Sequence, residues 1–207
     1  MRKLHLLRTL AVALPLVLLN VSCILVPKLE DRSVELAVGA STSTIFDATG
    51  SINTYQDTKT VDIHADIDLP KVLDDNGVKS EDVKDIKLVG VSYRIVKGEA
   101  GRSIDGGTLT IQRSGGAVTP LVTSFKADCS KPGDWVTVPL DAAGVGVINT
   151  LINDLLTEVK TGTPATNTSI TYHVAGNSLP SGTATNFSWE FKLDLTMIGT
   201  VKVQVLN

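Results

Sequence analysis

The stretch Phe187–Thr196, FSWEFKLDLT, decides the fold class. Phe187, Trp189, Phe191, Leu193 and Leu195 fall on every second residue, and Ser188, Glu190, Lys192, Asp194 and Thr196 fall between them. A period of two places the two sets on opposite faces of a β-strand, one face apolar and one wet. It is the longest single-face stripe in the chain. Beyond it, Gly199 reads as a turn, and Val201, Val203 and Val205 alternate in a final strand, so the terminus is expected to be a core hairpin.

Working backwards, Ile170, Tyr172 and Val174 alternate in another strand, with His173 on its polar side. Asn177–Gly182 is a loop. Between the two β-rich halves lies one segment of different period. Over Val147–Val159, Ile148, Leu151, Ile152, Leu155, Leu156 and Val159 recur at three- and four-residue spacing, which predicts an amphipathic helix. Asp141 is a cap candidate upstream, Lys160 lies at the end, and the Gly162–Pro164 turn stops it. The stripe carries no polar group, so it is expected to pack against a sheet rather than to bind a cofactor.

The first half gives strands at Val34–Val38, Thr60–Asp68, Lys84–Val96, Thr108–Gln112, Leu121–Phe125 and Trp135–Val138. The region from Ala40 to Thr54 reads as irregular. In Lys84–Val96 the apolar phase switches between Ile86/Leu88 and Val89/Val91/Tyr93/Ile95, which predicts a bulge near Gly90. Asp68, Pro70 and Gly77 frame a short capped helical turn over Leu69–Asp75. Asp74, Asp75 and Asn76 before Gly77 lack the alternating ligands of a calcium loop. Short strands separated by turn signals, with one inserted amphipathic helix, predict an all-β antiparallel β-sandwich; a lipocalin-type β-barrel is the alternative.

The opening residues are of another kind. Arg2, Lys3 and Arg8 precede the apolar run Thr9–Leu19, and NVSC ends at Cys23. A charged segment, an apolar segment shorter than the roughly 20 residues of a spanning helix, and a small residue before a cysteine form an export signal. This end of the chain resembles the signal and lipobox of bacterial lipoproteins, with Asn20 where that pattern favours Leu. The resemblance implies that Cys23 receives lipid, palmitate among its acyl chains, and becomes the N-terminus. Several acyl chains would make a firm anchor, where one would not. The expected organisation is a signal peptide over 1–22, a lipidated tether over 23–32 and a single β-sandwich domain over 33–207. Ordinary secretion and an uncleaved anchor are the alternatives.

Loss of residues 1–22 takes three positive charges and no acid from the chain, moving its formal charge from -3 to -6. That balance gives no bulk attraction for nucleic acid or anionic lipid. Cys23 and Cys129 are the two cysteines of the sequence. With Cys23 lipidated, Cys129 is a lone structural thiol; with Cys23 unmodified, a disulfide between them becomes available in an oxidising compartment.

Candidate chemistry is sparse. On a strand over Thr60–Asp68, Asp62, His64 and Asp66 would share a face about 6.5–7 Å apart. Carboxylates there suit calcium, and His with carboxylate suits zinc; otherwise the row is a solvated strand face that opposes edge-to-edge pairing. Trp135, after the polar loop DCSKPGD, is the candidate aromatic platform for a glycan or protein ligand. No G-x-S-x-G occurs and no catalytic residue is assigned. The expectation is a non-enzymatic binding or structural module, held in the membrane through its lipid and contacting an envelope protein or glycan. A small apolar-ligand carrier and an envelope hydrolase are the alternatives. In a Gram-negative cell the outer membrane or cell surface is expected over the cytoplasmic membrane.

Overall fold

The computed structural model describes residues 29–51 and 54–206, with side chains over 39–48, 54–183 and 185–199. The chain divides into two units, Glu35–Val201 and Met1–Val34 with Lys202–Asn207. In the second of these, residues 29–34 and 202–206 are extended strand. Every residue with a described side chain lies in the first, Glu35–Val201.

Eight strands alternate between two antiparallel sheets: β1 (Leu29–Ser51), β2 (Thr54–Asp62), β3 (Val83–Lys97), β4 (Ser103–Arg113), β5 (Thr119–Asp128), β6 (Val136–Val138), β7 (Ser169–Leu179) and β8 (Ala184–Leu206). One sheet has the order β1-β8-β3-β6 and the other β2-β7-β4-β5. This order is the eight-stranded jelly roll, a sandwich of two open sheets rather than a closed barrel. Three helices interrupt it: α1 (Ile63–Asp66), α2 (Leu69–Asp75) and α3 (Ala142–Thr161).

The space between the sheets is filled by side chains, and its centre is aromatic. Trp189 of β8 is fully buried. It lies 5.1 Å from the ring of Tyr55, 5.2 Å from Phe191 and 5.5 Å from Phe125. Its indole Nε1–H donates to the Tyr55 hydroxyl at 3.2 Å, so the one polar atom of the ring is satisfied across the two sheets. The alternating stripe Phe187–Leu195 is thus core, as its period requires.

Beyond that stripe the expected hairpin does not form. β8 continues straight through Gly199, where Gly199 pairs with Val83. A Cβ at Gly199 would sit 2.6 Å from the Asp82 carbonyl oxygen. The glycine answers a close approach of backbones, not a turn. In β3 the expected bulge is present, with a register shift between Leu88 and Gly90. β1 also runs further than expected. It starts within the stretch read as tether and continues through Ser51, where Phe46 and Ala48 turn inward between exposed Ile45 and Asp47.

Helix α3 closes one side of the sandwich. Its stripe Ile148, Leu151, Ile152, Leu155 and Leu156 is buried. Asp141 caps it by accepting from the Ala143 N–H, and Gly162 ends it at φ 72°. Its start lies so close to β5 that a Cβ at Gly144 would meet the Pro120 carbonyl oxygen at 2.3 Å. The two flanks of the stripe are fastened to different sheets. On one flank, Asn149 Oδ1 accepts from the Leu88 N–H at 2.7 Å and Asn153 Oδ1 from the Ile86 N–H at 3.1 Å. Asn153 Nδ2 donates back to the Ile86 carbonyl at 2.9 Å, and Lys160 Nζ donates to the Val83 carbonyl at 2.6 Å. On the other flank, Asp154 pairs with Arg113 at the end of β4.

These contacts have a backbone cause. β6 pairs with β3 only over Val91–Tyr93. The rest of that edge of β3 would expose unpaired N–H and C=O groups, and the asparagine amides stand in for a neighbouring strand. Replacing Asn153 with Leu should leave the Ile86 N–H and C=O unpaired beneath the helix, lowering the free energy of unfolding by about 2 kcal/mol. Urea denaturation measures this, and an unchanged midpoint would contradict it.

Candidate functional site

The expected strand over Thr60–Asp68 ends early. β2 stops at Asp62, which pairs with Ser169 as the last rung of the β2–β7 ladder. Asp62 then caps α1, its Oδ1 accepting from the His64 N–H at 3.1 Å. The Ile67 N–H closes the turn on the Ile63 carbonyl at 2.9 Å. Ile63 and Ile67 are buried and Ala65 is exposed, the signature of a four-residue helical spacing. In a helix two residues are about 200° apart, so Asp62, His64 and Asp66 lose the common face that a strand would have given them. Among the described residues, no three His, Cys, Asp or Glu side chains gather as a set of metal ligands.

The helical turn instead carries His64 to α3. His64 Nε2 lies 3.3 Å from Glu158 Oε1. The other carboxylate oxygen, Oε2, accepts from the Ala165 N–H at 3.1 Å, which fixes the group in place. Glu158 is the more enclosed partner, with 24% of its side chain exposed against 54% for His64. Next along the chain, Asp68 caps α2 by accepting from the Lys71 N–H at 3.1 Å. Asn76 and Gly77 end α2 as a capped turn, Gly77 at φ 64°.

Between α1, α2 and the last turns of α3 opens a groove of about 700 Å³, within the range of small-molecule sites. Ile67, Leu69, Leu155 and Val159 supply its apolar lining, and His64, Asp68 and Glu158 its ionisable groups. Glu158 was not legible as a site residue. It is a lone acid on the flank of an apolar stripe, and its partner lies on a distant part of the chain.

Trp135 lies half-buried just before β6, on the outer face of the first sheet. The Arg94 guanidinium is 4.7 Å and the Lys192 ammonium 4.8 Å from its ring centroid. The ring expected to be a flat platform therefore already carries two cations of its own chain. Arg94 in turn donates from Nε and Nη2 to Glu190 Oε2 at 2.7 Å, and the Ser43 hydroxyl donates to Glu190 Oε1 at 2.6 Å. A polar row so crosses the sheet from β1 through β8 and β3 to the residue before β6. The Ser43 hydrogen bond first, and then Arg94, hold the Glu190 carboxyl below its ordinary value against the opposing effect of burial.

Cys129 is fully buried and free. Burial pushes its thiol up to about 12, with the Asp128 charge adding to the shift, so at neutral pH it is a thiol and not a nucleophile. Beside it, buried Arg102 donates to Ser178 Oγ at 3.0 Å and to the Pro180 carbonyl at 2.9 Å. It also donates to Glu99 Oε1 at 2.9 Å, holding the β3–β4 and β7–β8 connections together. Cys23, the expected lipidation residue, lies outside the described residues.

No protein-family model and no curated protein matches the chain. Among solved structures, Desmodium yellow mottle tymovirus is similar at 11% identity and TM-score 0.33, over 86% of this chain and 94% of that one. The decameric BFDV capsid protein is similar at 12% identity and TM-score 0.34, over 80% and 99%. Tobacco necrosis virus is similar at 10% identity and TM-score 0.27, over 80% and 97%. Likenesses this distant carry no argument about function.

Burial and charge at these positions set two expected outcomes. Cys129 should resist alkylation by iodoacetamide at pH 8 in the folded chain and react once the chain is unfolded in urea; fast labelling of the native protein would contradict its burial. Because the Glu190 carboxyl is depressed in the fold, its contribution is present above the ordinary Glu value of about 4.3. It is lost as pH falls through the folded value. Glu190→Gln should therefore lose about 1 kcal/mol at pH 7. Its stability should also fall less steeply than the parent's below about pH 4.3, as followed by melting temperature against pH.

Proposed function

We propose that the chain is a lipid-anchored jelly-roll module of the cell envelope that binds a component there and performs no catalysis. The observation that carries this reading is the N-terminal pattern: Arg2, Lys3 and Arg8, the apolar run Thr9–Leu19, and Ser22 before Cys23. In the proposal, residues 1–22 direct export, Cys23 takes the lipid, and the sandwich is displayed at the membrane surface. The acidic balance of the remaining chain agrees with attachment by lipid rather than by attraction to anionic headgroups.

Two features of the sandwich favour binding at its surface over the alternatives. Its interior is filled by the aromatic cluster around Trp189, which leaves a carrier's ligand no room between the sheets. The buried thiol of Cys129 is not available as a nucleophile. The groove beside α3 offers an external site of ligand size.

Expression in a bacterial host with an alkyne analogue of palmitate should label the wild-type chain and leave Cys23→Ala unlabelled. The wild-type chain should fractionate with membranes, and mass spectrometry should find diacylglyceryl Cys23 as its N-terminus. An unmodified N-terminus elsewhere, or label retained in Cys23→Ala, would overturn the anchor.

A further inference from the structure

We infer that the groove between α1, α2 and the C-terminal turns of α3 binds a small amine, a primary ammonium carried on an apolar body. The inference rests on reading the chain as a binding module and is independent of its lipid anchor. The groove has two chemically distinct parts. Its floor is Ile67, Leu155 and Val159, a surface that gains by covering an apolar group. Its ionisable lining is His64, Asp68 and Glu158, with no Lys or Arg among the lining residues. The nearby cations are committed elsewhere: Lys71 pairs with Asp75, and Lys160 donates to the Val83 carbonyl.

The charge of this lining selects the ligand. Two carboxylates and an imidazole attract a cation and repel a carboxylate or phosphate. Glu158 is held ready, since the Ala165 N–H occupies only Oε2 while Oε1 faces His64 at the groove. An ammonium offers three donors. One reaches Glu158 Oε1, and Asp68 and the His64 ring supply acceptors beside it. A quaternary ammonium would satisfy the charge and not the acceptors. The apolar floor bounds the other end of the molecule, so a bare ammonium ion or a polyamine without an apolar body makes only half of the contact.

The test uses three probes of one shape on the full chain: tryptamine, the neutral 3-ethylindole and the anionic indole-3-propionate. Tryptamine should bind at least about ten-fold more tightly than either by calorimetry, the factor that about 1.4 kcal/mol of charge recognition gives. Its amide shift changes should map to 64–69 and 155–162. Glu158→Gln should reduce tryptamine to the affinity of 3-ethylindole with its melting temperature preserved. Should that variant unfold, Val159→Ser supplies the second arm, weakening tryptamine and 3-ethylindole alike. Equal binding of amine and carboxylate, or shift changes that map away from the groove, would overturn the inference and leave the lipid-anchor result untouched.

Discussion

Most of one edge of β3 has no strand beside it. β6 covers Val91–Tyr93 and stops, and the backbone groups of Ile86 and Leu88 would otherwise face the side of the sandwich unpaired. Two side-chain amides on α3 answer this. Asn153 both accepts from and donates to Ile86, as a residue of an antiparallel strand would, and Asn149 accepts from Leu88. Their four-residue spacing is one helical turn, so both point to the same edge. Much else depends on this arrangement. It sets the position of α3 between the two sheets, it buries the Ile148–Leu156 stripe, and it brings Glu158 on the opposite flank to His64.

The interior and the outer face of the first sheet are held by different means. Inside, the aromatic rings of Tyr55, Phe125, Phe187, Trp189 and Phe191 meet edge to face or tilted, and the Trp189–Tyr55 hydrogen bond removes the one polar penalty. Outside, Ser43, Glu190, Arg94 and Trp135 form a polar row across the strands. Trp135 serves this row, its ring bearing Arg94 and Lys192. A tryptophan that looks like a free platform in the sequence is engaged by its own sheet.

Legibility followed the length of the pattern. The stripe from Phe187 to Leu195 and the helix over Val147–Val159 each repeat often enough that one period accounts for them, and both are core. The stretch around Ile63 and Ile67 was ambiguous because a spacing of four satisfies a strand and a helix equally. Ala65 would have decided it, and an alanine fits either face. The capping oxygen of Asp62 tipped the chain into a helix, which removed the expected ligand row of Asp62, His64 and Asp66. Gly199 misled because a glycine needed for close backbone approach looks like a turn glycine. The pairing of His64 with Glu158 was invisible, since no local period relates residues on α1 and α3. The asparagines were in plain view beside the apolar stripe, but their purpose required knowing that β6 is short.

Helix α3 substitutes for a missing strand, and hydrogen exchange of the Ile86 and Leu88 amides tests that most directly. Both should be protected to the level of β3 amides that pair with β8, opening only with global unfolding. Exchange as fast as that of exposed amides on the outer edge of β2 would contradict it, and with it the seating of α3 that brings Glu158 to the groove.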